Sequence, residues 1–237
     1  MPLPVLSYNI HECVGRDRRR DPARIAEVIR QSGAEVVGLQ EVHSEHNGRN
    51  ELHQMNYLAE ATGLQAIPGP SVERRNGHYG NALLTKHRVL SFQRIDLSVP
   101  GREPRGAIDA DLEIGGEPVR FVVTHLGLNP AERRCQVQKL LAALSRERAR
   151  TVVLLSDFNE WLPIGRSLRW LHARLGKTSP LCTFPARFPI LPLDRIWVCP
   201  SSALLDLSIF DSPLARIASD HLPLKARVRI AEAHPAP

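Results

Sequence analysis

The chain reads as an α/β fold, a four-layer sandwich in which two packed, mixed β-sheets are flanked by helices. Three observations predict it. Short apolar stretches recur along nearly the whole length, interrupted by a few helices with clear start and stop signals. One stretch, Thr151 to Leu155 (TVVLL), shows no polar alternation, as a central strand covered on both faces requires. A chain of 237 residues with 43% apolar content can build one large core, so residues 1–237 are expected to form a single domain.

Taken in order, Val5 to Ile10 is the first strand. Asp21 is the expected N-cap of a helix with Pro22 in its first turn, Gly33 as its stop, and Ile25, Val28 and Ile29 on its buried face. Glu35 to Gln40 is too short and too β-branched for a helix and reads as a strand. Glu51 to Thr62 is expected to be a helix ended by Gly63. Strand-like segments follow at Leu64 to Ile67, Asn81 to Thr85, Val89 to Leu97 and Ala107 to Ile114, and Gly115-Gly116 turns the last into Val119 to Thr124. Asn129-Pro130-Ala131-Glu132 opens a helix in which Glu132 is placed to reach back to the cap, and Val137, Leu140, Leu141 and Leu144 form its apolar stripe. After Thr151 to Leu155, a proline-rich loop leads to a strand at Ile196 to Cys199. Leu204 to Phe210 and Leu222 to Ile230 are late strands, and the tail 231–237 is expected to fray.

The formal net charge of +6 favours anionic partners: nucleic acid, phosphorylated small molecules or acidic lipid headgroups. The arginine runs are dispersed and read as solvated loops and faces. Four cysteines, Cys13, Cys135, Cys182 and Cys199, form no CxxC pair, which argues against a zinc site and for reduced thiols. No apolar run approaches the ~18 residues needed to span a bilayer, and the N-terminal residues run directly into a strand without a basic leader. A cytoplasmic location follows from these readings. No segment signals an obligate protein partner.

Polar residues gather at the ends of the apolar strands. Asn9 ends VLSYN, Glu41 ends EVVGLQE, His125 ends RFVVTH, and Asp157 and Asn159 follow TVVLLSDFN; Asp194 lies in PLDRIWV, and Asp220 and His221 precede the last strand. Each alone is an ordinary turn or solvated residue; eight in order at strand edges are a pattern, because a rigid scaffold places catalytic groups there. Glu41, Asp220, Asn9 and Asp157 are hard oxygen donors suited to Mg²⁺ or Mn²⁺ rather than zinc. Histidines beside carboxylates supply proton transfer or phosphate contacts.

The ordered series SYNI, LQEV, YGNALLT, RGA, THL, SDFNEW, LDRIWV and SDH resembles the endonuclease/exonuclease/phosphatase (DNase I-like) superfamily, from Val5 to about Val228. In look it is similar to small bacterial members of uncharacterised specificity. The resemblance implies metal-dependent hydrolysis of a phosphoester in one step. It assigns Asn9, Glu41 and Asp220 to the metal site and His125 to the scissile phosphate. Asp157 and Asn159 match the pair that orients the attacking water and the phosphate. Asp194 matches the partner of His221, which serves as base or phosphate binder; Asn81 and Arg105 match positions near the phosphate. Trp161, beside the DFN motif, is the expected pocket aromatic. Two departures separate the chain from abasic-site endonucleases: His11 stands where they carry an acid, and Glu160-Trp161-Leu162-Pro163 replaces their second asparagine cluster.

Three readings follow. The first is a phosphodiesterase acting on a small-molecule or lipid phosphoester. The second is a DNA or RNA nuclease, supported by the basic charge and opposed by the short connections and the 5% aromatic content. The third is a non-catalytic binding module, which would predict loss of a motif residue, and none is lost. His43 and His46 read as loop residues, Trp170 as core, and Phe184 and Phe188 around Arg187 either as packed loop or as a lipid contact.

Overall fold

The computed structural model describes residues 2–46, 51–74, 77–145 and 149–230. The chain begins with β1 (Pro2–Asn9), α1 (Pro22–Ser32), β2 (Val36–His46), β3 (Glu51–His53) and α2 (Gln54–Thr62). An antiparallel run follows: β4 (Gln65–Arg74), β5 (Gly77–Thr85), β6 (Arg88–Asp96), β7 (Gly106–Ile114) and β8 (Glu117–His125). Then come α3 (Pro130–Leu144), β9 (Thr151–Asp157), α4 (Arg166–Leu175), β10 (Asp194–Cys199), β11 (Leu204–Ile209), α5 (Ala215–Ala218) and β12 (Leu224–Arg229).

The first sheet runs β11-β12-β1-β2-β5-β4, with β3 paired to β2, and the second runs β10-β9-β8-β7-β6. Each is mixed, with a parallel pair at its heart: β1 beside β2, and β8 beside β9. Strand alternation sorts side chains into layers. Val5, Val36 and Leu83 of the first sheet share the inter-sheet core with Phe121, Val123 and Leu155 of the second. Their neighbours Leu6, Tyr8, Val37 and Leu39 face the other way, onto Ile25 and Val28 of α1 and Leu58 of α2. Val122, Leu154 and Trp197 likewise face Val137 and Leu140 of α3 and Leu168 and Leu171 of α4. Helices, sheet, sheet, helices: the four-layer α/β sandwich is the fold.

The capping chemistry behaves as its residues dictate. Asp21 accepts from the N–H groups of Ala23 and Arg24, Asn129 from those of Ala131 and Glu132, and Gly33 ends α1 in the left-handed conformation. Glu132, expected to reach back to the cap, instead accepts from Gln136 Nε2 one turn further along the helix. The segment expected to be helical from Glu51 begins instead with β3, because its first residues pair antiparallel with the end of β2; the helix starts at Gln54. Gln54 is buried and accepts the His43 N–H at 2.9 Å, which pins that start. The β4 strand runs past the expected Ile67 through Pro68 and Pro70, tolerable because β4 is an edge strand needing fewer ladder donors. The helix α4 was not expected; Leu168, Leu171 and Leu175 nonetheless recur at helical spacing on its buried face.

The four cysteines are free thiols. Among the described residues no helix is long and apolar enough to cross a membrane. The tail 231–237 and the arginine-rich residues 146–148 lie outside the described residues.

The sheets come into close contact at Gly38 of β2. A Cβ there would lie 2.8 Å from Leu155 Cδ1 and 3.1 Å from Val123 Cγ2, so only glycine admits the facing sheet. Gly38→Ala is expected to lower stability by about 1–3 kcal/mol through overpacking, read as an earlier urea midpoint at unchanged slope; an unshifted midpoint would contradict the close approach.

Candidate active site

The residues that cap the inter-sheet core are the polar strand ends. On β8 and β9 the inward series Phe121, Val123 and Val153, Leu155 ends at His125 and Asp157, two residues further along. The register then lines three strands up: His125 is paired with Asp157, and Asp157 with Asp194 at the start of β10. From the first sheet, Val5 and Ser7 lead to Asn9, and Leu83 shares its face with Asn81. The same alternation that builds a dry core therefore closes it with a polar cap where the strands end.

Glu41 would break this rule. By parity it belongs with Val37 and Leu39 on the helix side of β2. A β-bulge intervenes: Leu39 pairs with Ala82 and Val42 with Gly80, so Gln40 and Glu41 together oppose Asn81. Glu41 takes φ +57°, which turns its carboxylate toward the cap. There Asn9 Nδ2 donates to Glu41 Oε1 at 2.9 Å and to Asp157 Oδ2 at 2.8 Å, linking carboxylates of the two sheets. Asn9 Oδ1 accepts the His11 N–H at 3.0 Å, so ligation of a cation through this oxygen would require the amide to turn.

Burial raises the Glu41 carboxyl above its ordinary value, and the nearby Asp157 and Asp220 raise it further. Asp220 is the open member of this acidic set, with Oδ1 3.8 Å from His11 Nδ1. Like-charged oxygens crowded at the edge of a dry core suit a hard divalent cation, whose charge would relieve their repulsion. The ligand atoms of Glu41, His125 and Asp157 all lie within 4.8 Å of one another, as do those of Asp157, Asp194 and His221.

The two histidines are driven in opposite directions. Burial pushes His125 down to about 3, with help from the Arg105 and His221 charges and against the pull of Asp157. Arg105 Nη1 lies 3.3 Å from Nδ1 and Asn159 Nδ2 3.0 Å from Nε2; a ring nitrogen accepts from either donor only while it carries no proton, which favours the neutral ring. Burial would depress His221 as well, but Asp194, Asp157 and Asp220 outweigh it and hold the imidazole up at about 10. Its Nδ1 donates to Asp194 Oδ2 at 2.8 Å, and its Nε2 lies 3.8 Å from Asp157 Oδ2.

Asn159 is fixed by its own backbone, at φ +53°, with its N–H on Asp157 Oδ1 and its Nδ2 on Leu126 O at 2.9 Å. Asn81 Nδ2 donates to Gly106 O, which leaves Asn81 Oδ1 buried without a hydrogen-bond partner among the described residues, as are Arg105 Nε and Asp194 Oδ1. The structure thus brings Asn9, Glu41, Asn81, Arg105, His125, Asp157, Asn159, Asp194 and His221 to one cap, with Asp220 at its mouth. Trp161 stands apart: it is 48% exposed, on the rim. Three supporting roles escaped the sequence reading. Thr183 donates its hydroxyl to Asp194 Oδ2, Ser219 donates to Asn9 O at 2.8 Å, and the Phe184 ring lies 4.8 Å from that of His221. Thr183 and Phe184 sit in a proline-rich stretch without periodicity, so only Ser219, inside SDH, carried a local signal.

A family model described as the Endonuclease/Exonuclease/phosphatase family matches residues 6–221. The uncharacterised protein YbhP of Escherichia coli (strain K12) is 30% identical over 247 residues, covering 95% of this chain and 96% of that protein. Among solved structures, an endonuclease/exonuclease/phosphatase from Beutenbergia cavernae superposes with a TM-score of 0.76 at 23% identity, over 97% of this chain and 72% of its own. A mannosyl-6-phosphatase of Bacteroides thetaiotaomicron superposes with a TM-score of 0.73 at 20% identity, over 95% of this chain and 99% of its own. At these identities the two structures speak to the fold alone.

The His221 environment makes a pH prediction. A raised folded-state value means the stabilisation is complete below the unfolded value of about 6.5 and is lost as pH climbs through about 10. Histidine NMR of the metal-free protein is expected to show one ring titrating near 10, and Asp194→Asn to move that ring down toward 6.5. A wild-type protein in which every histidine titrates below 7 would contradict the assignment.

Proposed function

Because the chain belongs to the endonuclease/exonuclease/phosphatase family, whose members hydrolyse phosphoester bonds, we propose that it is a divalent-cation-dependent phosphodiesterase acting on a small-molecule or lipid phosphoester in the cytoplasm. The observation that carries this reading is the Asn9 amide bridging Glu41 and Asp157 beside a neutral and a charged histidine.

Each residue has a task in that chemistry. Asp157, held by Asn9 and by the Asn159 N–H, orients a water against phosphorus and accepts its proton. The water oxygen bonds to phosphorus as the bond to the leaving oxygen breaks, and the leaving oxygen takes a proton from solvent. No covalent intermediate is needed. His221, charged and fixed by Asp194, acts as a donor to a phosphoryl oxygen and not as the base, because its proton is held too tightly to cycle at neutral pH. Asn159 Nδ2 and Arg105, both aimed at the neutral His125, add donors that strengthen as negative charge develops. Glu41 and Asp220, with Asn9 if its amide turns, are the residues to hold Mg²⁺ or Mn²⁺, which would neutralise charge on the phosphoryl and leaving oxygens.

A nuclease reading draws on the net charge of +6. It is secondary, because duplex DNA must be gripped by loops beyond the site, and those beside this cap present apolar tips.

EDTA is expected to abolish hydrolysis of a small phosphodiester, and Mg²⁺ or Mn²⁺ to restore it. Glu41→Gln should chiefly raise the cation concentration required. Asp157→Asn and His221→Ala should each lower turnover by about 10²-fold or more with thermal melting retained. Full turnover in chelator, or a folded Asp157→Asn protein at wild-type rate, would reject this mechanism.

A further inference from the structure

Three loops leave the polar cap on the side of the second sheet, and each starts at a site residue. His125 leads to Leu128, Asp157 and Asn159 to Trp161, and the Thr183–Phe184 base under Asp194 and His221 to a turn ending at Leu191. Their tips carry Leu128, Trp161, Leu162, Ile164, Phe188 and Ile190, each between 48% and 77% exposed. Single exposed apolar residues are ordinary; six on adjacent loops around one mouth are a patch.

These loops are held in place from beneath. The side chain of Arg133, 1% exposed, donates to Leu128 O at 2.6 Å and to Glu160 Oε2 at 3.0 Å, clamping the first loop to the second. Gly127 packs so tightly on Glu132 that a Cβ would fall 2.1 Å from its carboxylate, and Gln136 takes the Gly127 N–H at 2.9 Å. Phe158 N–H bonds Leu193 O at 2.8 Å, tying the second loop to the third segment, where Ile190 and Leu191 N–H both bond Phe184 O. A buried polar framework thus holds the apolar tips outward.

The charge at the tips identifies the occupant. The exposed charge on these three loops is Arg187, with exposed Arg166 opening α4 where the second loop ends, and the one acid, Glu160, is buried and paired with Arg133. Apolar tips beside cations and without exposed acids match a surface that is oily below and negative on top.

We propose that this rim docks the protein on the surface of an anionic phospholipid bilayer, with the polar cap facing the headgroups. The docking rests on the phosphoester reading only for what the surface delivers to the cap. Trp161 reports it directly: the other tryptophans are half-buried Trp170 and buried Trp197. Vesicles of phosphatidylcholine and phosphatidylglycerol in equal parts are expected to float the wild-type protein and to shift its tryptophan emission to the blue. Vesicles of phosphatidylcholine alone should bind more weakly. The triple variant Ile164→Ser, Phe188→Ser, Ile190→Ser is expected to bind about tenfold more weakly or worse, while hydrolysing a water-soluble phosphodiester at the wild-type rate. Wild-type protein that stays unbound, a triple variant that floats equally well, or a wild-type dimer that the triple substitution converts to monomer would overturn the proposal, the last by making a second copy the occupant. Loss of hydrolysis in both proteins with vesicle binding intact would instead sink the phosphoester reading and leave the docking standing.

Discussion

The side-chain amide of Asn9 has two N–H bonds and gives one to each sheet, to Glu41 on β2 and to Asp157 on β9. The rest of the cap depends on that bridge. Without it, two carboxylates would face each other across the edge of a dry core, where their repulsion is poorly screened. With it, Asp157 is held in line with His125 and Asp194 by strand register, and Glu41 is held against its own like-charged neighbours. Asn9 is itself fixed at three further points. It is buried at the end of the inward series of β1, its Oδ1 takes the His11 N–H, and its carbonyl takes the Ser219 hydroxyl. That last bond draws the Asp220–His221 segment, more than two hundred positions away in sequence, onto the same edge.

The second dependency is electrostatic. One cap holds a histidine whose proton affinity is lowered and another whose proton affinity is raised, and both shifts follow from what surrounds each ring. His125 is buried beside the Arg105 guanidinium; His221 is bonded to Asp194 and faces further carboxylates. Two imidazoles with separated proton affinities divide the work between a neutral contact and a fixed positive charge. A divalent cation held by Glu41 and Asp220 would add a further positive charge to this set.

How much of this was legible in the residues depends on how local the cause was. The caps Asp21 and Asn129 and the stop Gly33 were legible, because they act on backbone groups within three residues of themselves. The polar strand ends were legible for the same reason: alternation carries Val153 and Leu155 forward to Asp157 without tertiary information. The bulge at Gln40 and Glu41 was not, since it exists only in the pairing of β2 with β5 and has no proline or glycine to mark it. The β3 strand was invisible because its residues are equally compatible with a helix until β2 is beside them. The raised proton affinity of His221 was also out of reach, being set by three carboxylates brought from distant segments. Trp161, read as a pocket aromatic from its place beside the DFN motif, sits instead on the rim, held there by the Arg133–Glu160 pair between residues 27 positions apart.

The central claim is that this cap directs water onto phosphorus. It is tested most directly by a single turnover of a small phosphodiester with excess enzyme and Mg²⁺ in ¹⁸O-labelled water, with the products read by ³¹P NMR and mass spectrometry. Direct attack places one ¹⁸O on the phosphorus-containing product and none on the released alcohol. Label in the alcohol, or an unlabelled phosphorus product with ¹⁸O appearing in an enzyme carboxylate, would contradict the account.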